Sequence, residues 1–195
     1  MAEIVLSPVT ADRFDDAEHA LTGGGDGQAC QCQWWMLTRA QFQRTTQDER
    51  REMLRTEIEQ GATPPALIAY VDGEAAGWVR IGPRASQIRV LRTRAIAANT
   101  DVPLDDEDVW AVTCFVVRRE HRGKGLNAEL LSAAVDFARS HGARSVEAYP
   151  LDTRVATHPT NDLYHGILSV FERAGFREVA RPRYDRTIVS LDLST

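Results

Sequence analysis

The chain has 195 residues, 43% hydrophobic and 26% charged, with a formal net charge of −5, which suits one domain over residues 1–195 with a full core. Nothing in the charge pattern offers a basic stripe for nucleic acid, and no apolar run approaches the ~20 residues that span a bilayer. Met1 to Pro8 has neither the basic nor the apolar region of a secretory leader, so the expected location is the cytoplasm, with no nucleic-acid or membrane partner.

Glu3 to Val9 alternates apolar and polar residues and carries Pro8, which predicts a first strand at a sheet edge. Asp12 to Leu21 has Phe14, Ala17, Ala20 and Leu21 at helical spacing, with acidic residues in its first turn. Gly23 to Gly27 holds four glycines in five residues and reads as a flexible connector. Cys30 to Leu37 is the densest aromatic stretch. Trp34 and Trp35 stand about 100° apart on a helix, so one packs inward and the other is free to line a cleft. Cys30, Cys32 and Cys114 are too few for a disulfide framework. Cys30 and Cys32 alone fall short of the four ligands of a structural zinc, so no metal is expected.

Thr46 to Glu49 has the spacing of a capping box and opens a helix that ends at Gly61. Ala66 to Val71 and Ala75 to Ile81, joined at Asp72-Gly73, predict a hairpin. Arg84 to Asp108 is basic early and acidic late, and is expected to wrap over the substrate end of the sheet as a long loop. Val109 to Val117 is a buried strand. Arg118 to Gly125 is a basic turn with two glycines, and Leu126 to His141 is an amphipathic helix stopped by Gly142. A strand that feeds a helix leaves the first helical amides without partners, and these favour an anion. Gly123 and Gly125 let a phosphate approach the backbone, while Arg118, Arg119, Arg122 and Lys124 supply charge. Ala143 to Leu151 predicts a strand parallel to the first, Asp162 to Ala174 a last helix, and Arg177 to Leu193 a closing hairpin. The element order gives an α+β fold with a mixed sheet.

Three anion loops compete for the central turn. The P-loop string G-x-x-x-x-G-K-[ST] is absent. A dinucleotide fingerprint matches as Gly123, Gly125 and Ala128, but five polar residues separate it from the strand, and only one strand–helix–strand unit follows. The third is the acyl-coenzyme A loop, read at Arg122, Gly125 and Asn127.

Val116 to Leu126, followed by Ala128 to Leu131, resembles motif A of the GNAT superfamily of N-acetyltransferases. Phe171-Glu172-Arg173-Ala174-Gly175-Phe176 resembles the family's C-terminal segment. The likeness covers roughly residues 65 to 190. It implies a single-domain GNAT-like fold: a mixed, mostly antiparallel sheet with a central splayed parallel strand pair, flanked by helices. It also implies that acetyl-CoA is the co-substrate. Its pantetheine would lie along Phe115, Val116 and Val117, with its pyrophosphate on Arg122, Gly123, Lys124, Gly125, Leu126 and Asn127 and Phe171 nearby. The acceptor implied is a small-molecule or peptide amine that attacks the thioester directly; a homodimer is left open.

Asn127 stands where the family has Gly or Ala, and Phe171 where many members have a Tyr acting as general acid. Tyr164, seven residues before Phe171 and so on the same helical stripe, is the first substitute acid; Tyr149 is the second. Trp34, Trp35 and Asp152 are the expected acceptor-side residues. The general base is left open. A non-catalytic acyl-CoA sensor is the alternative, because Phe171 has no proton to give.

Overall fold

A computed structural model describes residues 2–23, 25–100 and 102–194. Gly24 of the glycine run and Asp101 of the charged stretch lie outside those residues.

The N-terminal strand β1 (Ile4–Pro8) pairs only with β2 (Ala66–Val71), antiparallel, so Pro8 sits on a sheet edge as predicted. Between them, α1 (Phe14–Leu21) buries Phe14, Ala17, Ala20 and Leu21, and the short α2 (Gly27–Cys30) and α3 (Arg39–Arg44) follow. Thr38 and Gln41 make a capping box at α3, a T-x-x-Q signal that the sequence reading passed over. The predicted box at α4 (Gln47–Gln60) is present: the Thr46 N–H donates to Glu49 Oε2 at 2.7 Å and the Glu49 N–H to Thr46 Oγ1 at 3.2 Å. The hairpin partner of β2 is β3 (Glu74–Pro83), joined through Asp72 and Gly73, both with positive φ.

The stretch after β3 is not the long loop expected. It forms α5 (Ile88–Arg92) and α6 (Arg94–Ala97), with Val90 and Ile96 in the core. Its acidic end is tied down too, with Asp106 on Arg144 at 2.6 Å. The central strand β4 (Val109–Val117) leads to α7 (Leu126–Ser140) and then to β5 (Ser145–Ala148), parallel to β4. The last predicted helix is split. Thr160–His165 is a 3-10 turn, Gly166 takes φ +81°, and α8 (Leu168–Arg173) begins anew. β6 (Arg177–Arg183) and β7 (Arg186–Asp192) close the sheet, whose order is β1-β2-β3-β4-β5-β7-β6.

Two irregularities position the site. β4 and β5 pair from Val109–Ser145 only as far as Val112–Ala148. Beyond that, Pro150 lacks an N–H for a ladder, and Leu151 bridges to Ile167 and Arg186 instead. The remainder of β4 therefore has no neighbour on that side among the described residues. At the same point β4 bulges: Arg80 faces Cys114 and Ile81 faces Val112, which leaves Thr113 as the extra residue. The bulge inverts the alternation of side chains. Trp110, Val112 and Phe115 share the core under α7 and α8, whereas Ala111 and Cys114 face the core under α1 and α4. Gln87 fills the bulge, donating from Nε2 to Ala111 O at 3.0 Å and accepting the Thr113 hydroxyl at 2.6 Å.

Candidate functional site

A cleft of about 670 Å³ runs from the start of α7 along the free edge of β4 to the segment around Trp34 and Trp35. Its first part is an anion cradle. Gly123 and Gly125 have φ of +75° and +83°, and a Cβ on either would meet nothing within 4 Å. No acceptor among the described residues meets the backbone amides of Gly123, Lys124, Gly125, Leu126 or Asn127. Asn127 Oδ1 is likewise buried without a partner. Arg122 ties this turn to the strand end, its Nε donating to Val117 O at 2.9 Å. Arg118 is not part of the cradle. It bonds Glu120 at 2.8 Å and His19 O at 2.7 Å, and packs against Gly23. The cradle amides and glycines fit a diphosphate.

The second part is the free edge of β4, where Cys114, Phe115, Val116 and Val117 line the cleft. The far wall is aromatic. Trp34 is held by Arg89, whose guanidinium lies 3.7 Å from its ring centroid, and by Phe42, edge-on at 5.1 Å. Trp35 is almost wholly buried against Tyr149 and His165, yet its indole N–H has no partner and its ring reaches the cleft. Tyr164 stacks on His165 at 4.1 Å and also lines the cleft. Burial first, then Cys114, raises the Tyr164 hydroxyl above the usual tyrosine range, so the proton stays on it at neutral pH. Asp26, bound to Asn161 Nδ2 at 3.1 Å, is the sole carboxylate on the described wall.

The structure thus brings together Trp34, Trp35, Phe115, Val116, Val117, Arg122, Gly123, Gly125, Leu126, Asn127 and Tyr164. Four expected residues lie off the cleft wall. Lys124 is an exposed neighbour of the cradle. Phe171 is 0% exposed, packed between Phe115 and Phe176. Tyr149 is buried in a polar network, donating to Glu147 Oε2 at 3.1 Å beside the Glu147–Arg84 ion pair, and burial raises its hydroxyl well above the ordinary range. Asp152 is held by Arg154 and Arg181; the Arg154 hydrogen bond, against burial, lowers its carboxyl to about 2. The charged stretch expected to wrap the substrate end lines no part of the cleft; α5 instead braces Trp34 from behind. Sequence reasoning took the stretch Cys30 to Leu37, with Cys30 and Cys32, as an acceptor wall, but missed Cys114 as a cleft residue. No spacing in the sequence relates Cys114 to the other two; only the β3–β4 register does.

The model of the acetyltransferase (GNAT) family matches residues 31–167. Solved structures share the fold over nearly all of both chains. An N-acetyltransferase from Staphylococcus aureus Mu50 is 15% identical with a TM-score of 0.56, covering 98% of this chain and 99% of that one. The acetyltransferase of the GNAT family from Streptococcus pneumoniae is 15% identical at 0.54, covering 97% and 99%. The PaiA N-acetyltransferase from Thermoplasma acidophilum, solved in complex with coenzyme A, is 13% identical at 0.54, covering 97% and 99%. No curated protein sequence matches. With the family model spanning most of the chain, and the splayed β4–β5 pair opening beside a glycine cradle, the protein belongs to the GNAT acetyltransferase family.

Proposed function

We propose that the protein transfers an acetyl group from acetyl-CoA to a primary amine. One observation carries this reading: the partnerless amides at residues 123–127 are continuous with the free edge of β4 at residues 114–117. An anion held at the first would leave a linear chain free to pair along the second. Gly123, Gly125, Leu126, Asn127 and Arg122 would hold the diphosphate, with Lys124 adding charge from outside, and Phe115 to Val117 would pair with pantetheine. Phe171 serves this only indirectly, by supporting Phe115 from below.

The co-substrate supplies an activated acyl thioester; the chain positions and shields it. Holding the amine close to the carbonyl is worth several kcal/mol, within the ~7–11 kcal/mol that good alignment can supply. By resemblance the amine attacks in one step, and the departing sulfur needs a proton. We assign that proton to Tyr164, which lines the cleft and whose hydroxyl keeps its proton at neutral pH. Trp34, Trp35 and Phe42 suit the carbon skeleton of the acceptor rather than a string of positive charges.

CoA should raise the melting temperature of the protein where NAD does not, and charge reversal at Arg122 together with Lys124 should abolish the shift. A second reading, an acyl-CoA sensor without turnover, is favoured by Phe171 and predicts the same shift with no thiol release on any amine of a broad panel.

A further inference from the structure

The far wall of the cleft carries a cation that the proposed transfer does not use. Arg50, in the first turn of α4, is half-buried and lines the cleft. Three backbone carbonyls hold its guanidinium. Nε donates to Ala29 O at 2.8 Å, and Nη1 donates to Phe42 O at 3.3 Å and to Thr45 O. Nη2 donates to none of the described residues, and Arg50 forms no ion pair with a described carboxylate. Its neighbours on α4 differ. Arg51 is paired with Glu18, and Arg55 with Glu52 and Glu59.

A second cation stands behind the same wall. The Arg50 guanidinium lies 4.5 Å from the Phe42 ring centroid, Phe42 meets Trp34 edge-on, and Arg89 lies over Trp34. Two rings are thus bracketed by two guanidinium groups. Arg89 also lacks a carboxylate partner among the described residues, and its Nη2 is buried without a hydrogen bond. Burial, with Arg39 adding to it, lowers the pKa of Arg89. Asp26, the wall's carboxylate, is taken up by Asn161 instead. Like charges gathered at one end of a cleft set up a field that favours an anion there. The rings between them favour an apolar body. Ala29, whose carbonyl holds Arg50, lines the cleft together with Cys30, Cys32 and Cys114, so the wall leads from Arg50 to the free edge of β4.

We propose that the acceptor amine also carries a carboxylate, that it is an amino acid with an aromatic or branched apolar body, and that Arg50 binds its carboxylate. Arg50 Nη2 donates to a carboxylate oxygen, Trp34 and Phe42 take the apolar body, and the amine points along the wall towards β4. The guanidinium is already fixed by the Ala29, Phe42 and Thr45 carbonyls, so binding an anion immobilises no further side chain. Its partial burial strengthens the bond, because charge-assisted hydrogen bonds gain where water is thinned. The same field works against a polyamine, since each further ammonium would meet Arg50 and Arg89.

The inference rests on reading the cleft as an acyl-CoA site, and the test separates the two. Thiol release from acetyl-CoA is followed with L-phenylalanine, L-leucine and 4-(aminomethyl)benzoate, each beside its own carboxamide, and with spermidine. At least one acid should exceed its amide by about 10- to 100-fold in kcat/KM, the worth of a hydrogen bond to a charged group, and spermidine should be poorer than that acid. For the two α-amino acids the amide's amine sheds its proton more readily, so a preference for the acid comes from the carboxylate. Arg50→Gln should bring the acid down to the level of its amide, chiefly through KM, and Arg50→Lys should restore part of the preference. Both variants should keep the thermal shift with CoA. A merely structural Arg50 would lower acid and amide alike and leave their ratio at the wild-type value, which overturns its binding role. If Arg50→Gln does not fold, the ratio in Arg50→Lys decides that role in the same way. Amides as good as the acids in the wild type, or no turnover of any of these amines, with the CoA shift intact, overturns the acceptor class and leaves the acyl-CoA site standing. Absence of any shift with CoA overturns both.

Discussion

A Cβ built on Gly166 would stand 2.6 Å from Cε2 of Phe171. The two residues interlock: Gly166 turns the chain at φ +81° between the turn that carries Tyr164 and the helix that buries Phe171. A side chain here faces both a disfavoured backbone region and an aromatic ring. Gly166→Ala should lose about 1–3 kcal/mol from the backbone alone, with overpacking added. A denaturant melt checks this; a wild-type midpoint would contradict it.

Phe171→Tyr tests whether the family acid can be restored by chemistry alone. The ring is fully enclosed by Phe115, Phe176 and the Gly166 backbone. A hydroxyl there has no water and no partner, so the variant should lose about 1–3 kcal/mol of stability. Acetyl transfer should not rise. A gain in turnover without destabilisation would mean that position 171 reaches the cleft after all.

The element order and the central strand–turn–helix were readable because they depend on short-range signals. The alternation in β1, the Asp72-Gly73 turn and the stripe of Leu126, Leu130 and Leu131 each speak for themselves. The misread parts depend on tertiary contacts. Gly166 looks like a tolerated helix glycine until Phe171 is seen beneath it. The residues of α5 look like a charged loop until Val90 is placed in the core and Arg89 on Trp34. Tyr164 reached the cleft for a reason other than its spacing from Phe171, since the two are not on one helix. The cysteine cluster was hidden because Cys114 comes opposite Arg80 only through the bulge at Thr113.

That bulge supports another prediction. Gln87 satisfies both the Ala111 carbonyl and the buried Thr113 hydroxyl. Gln87→Leu keeps the volume but leaves both groups unpaired, at about 1–3 kcal/mol each. Hydrogen exchange should accelerate at residues 111–116, and CoA should bind more weakly because the free edge of β4 starts at the bulge. Unchanged exchange there would show that the bulge holds itself.

Stability should fall in mild acid because of His165. Burial, then Arg186 and His158, lowers its pKa from 6.5 to about 3, so the folded protein keeps the ring neutral. Between those values the unfolded chain binds a proton that the folded one does not. Stability must therefore decrease as pH drops from about 6.5 towards 3, by at most about 1.4 kcal/mol per pH unit. His165→Gln should flatten this slope in urea melts taken from pH 7 to 4. Asp152 adds its own loss only below its ordinary 3.8, since its carboxyl titrates at about 2 when folded. A variant as acid-sensitive as the wild type would rule His165 out as the cause.

Tyr164 is where fold and chemistry can be separated by a single oxygen. Its ring stacks on His165 and the residue lines the cleft, while its hydroxyl makes no hydrogen bond to the described residues. Tyr164→Phe keeps the ring and should leave the melting temperature and the CoA-induced shift unaltered. If the hydroxyl protonates the departing sulfur, turnover should fall by about 10²–10⁴, the usual worth of a positioned acid. The loss should appear in kcat rather than in KM for acetyl-CoA, because the proton is needed only as the thioester breaks. A Phe variant with full turnover would remove Tyr164 from the chemistry and leave solvent as the proton source.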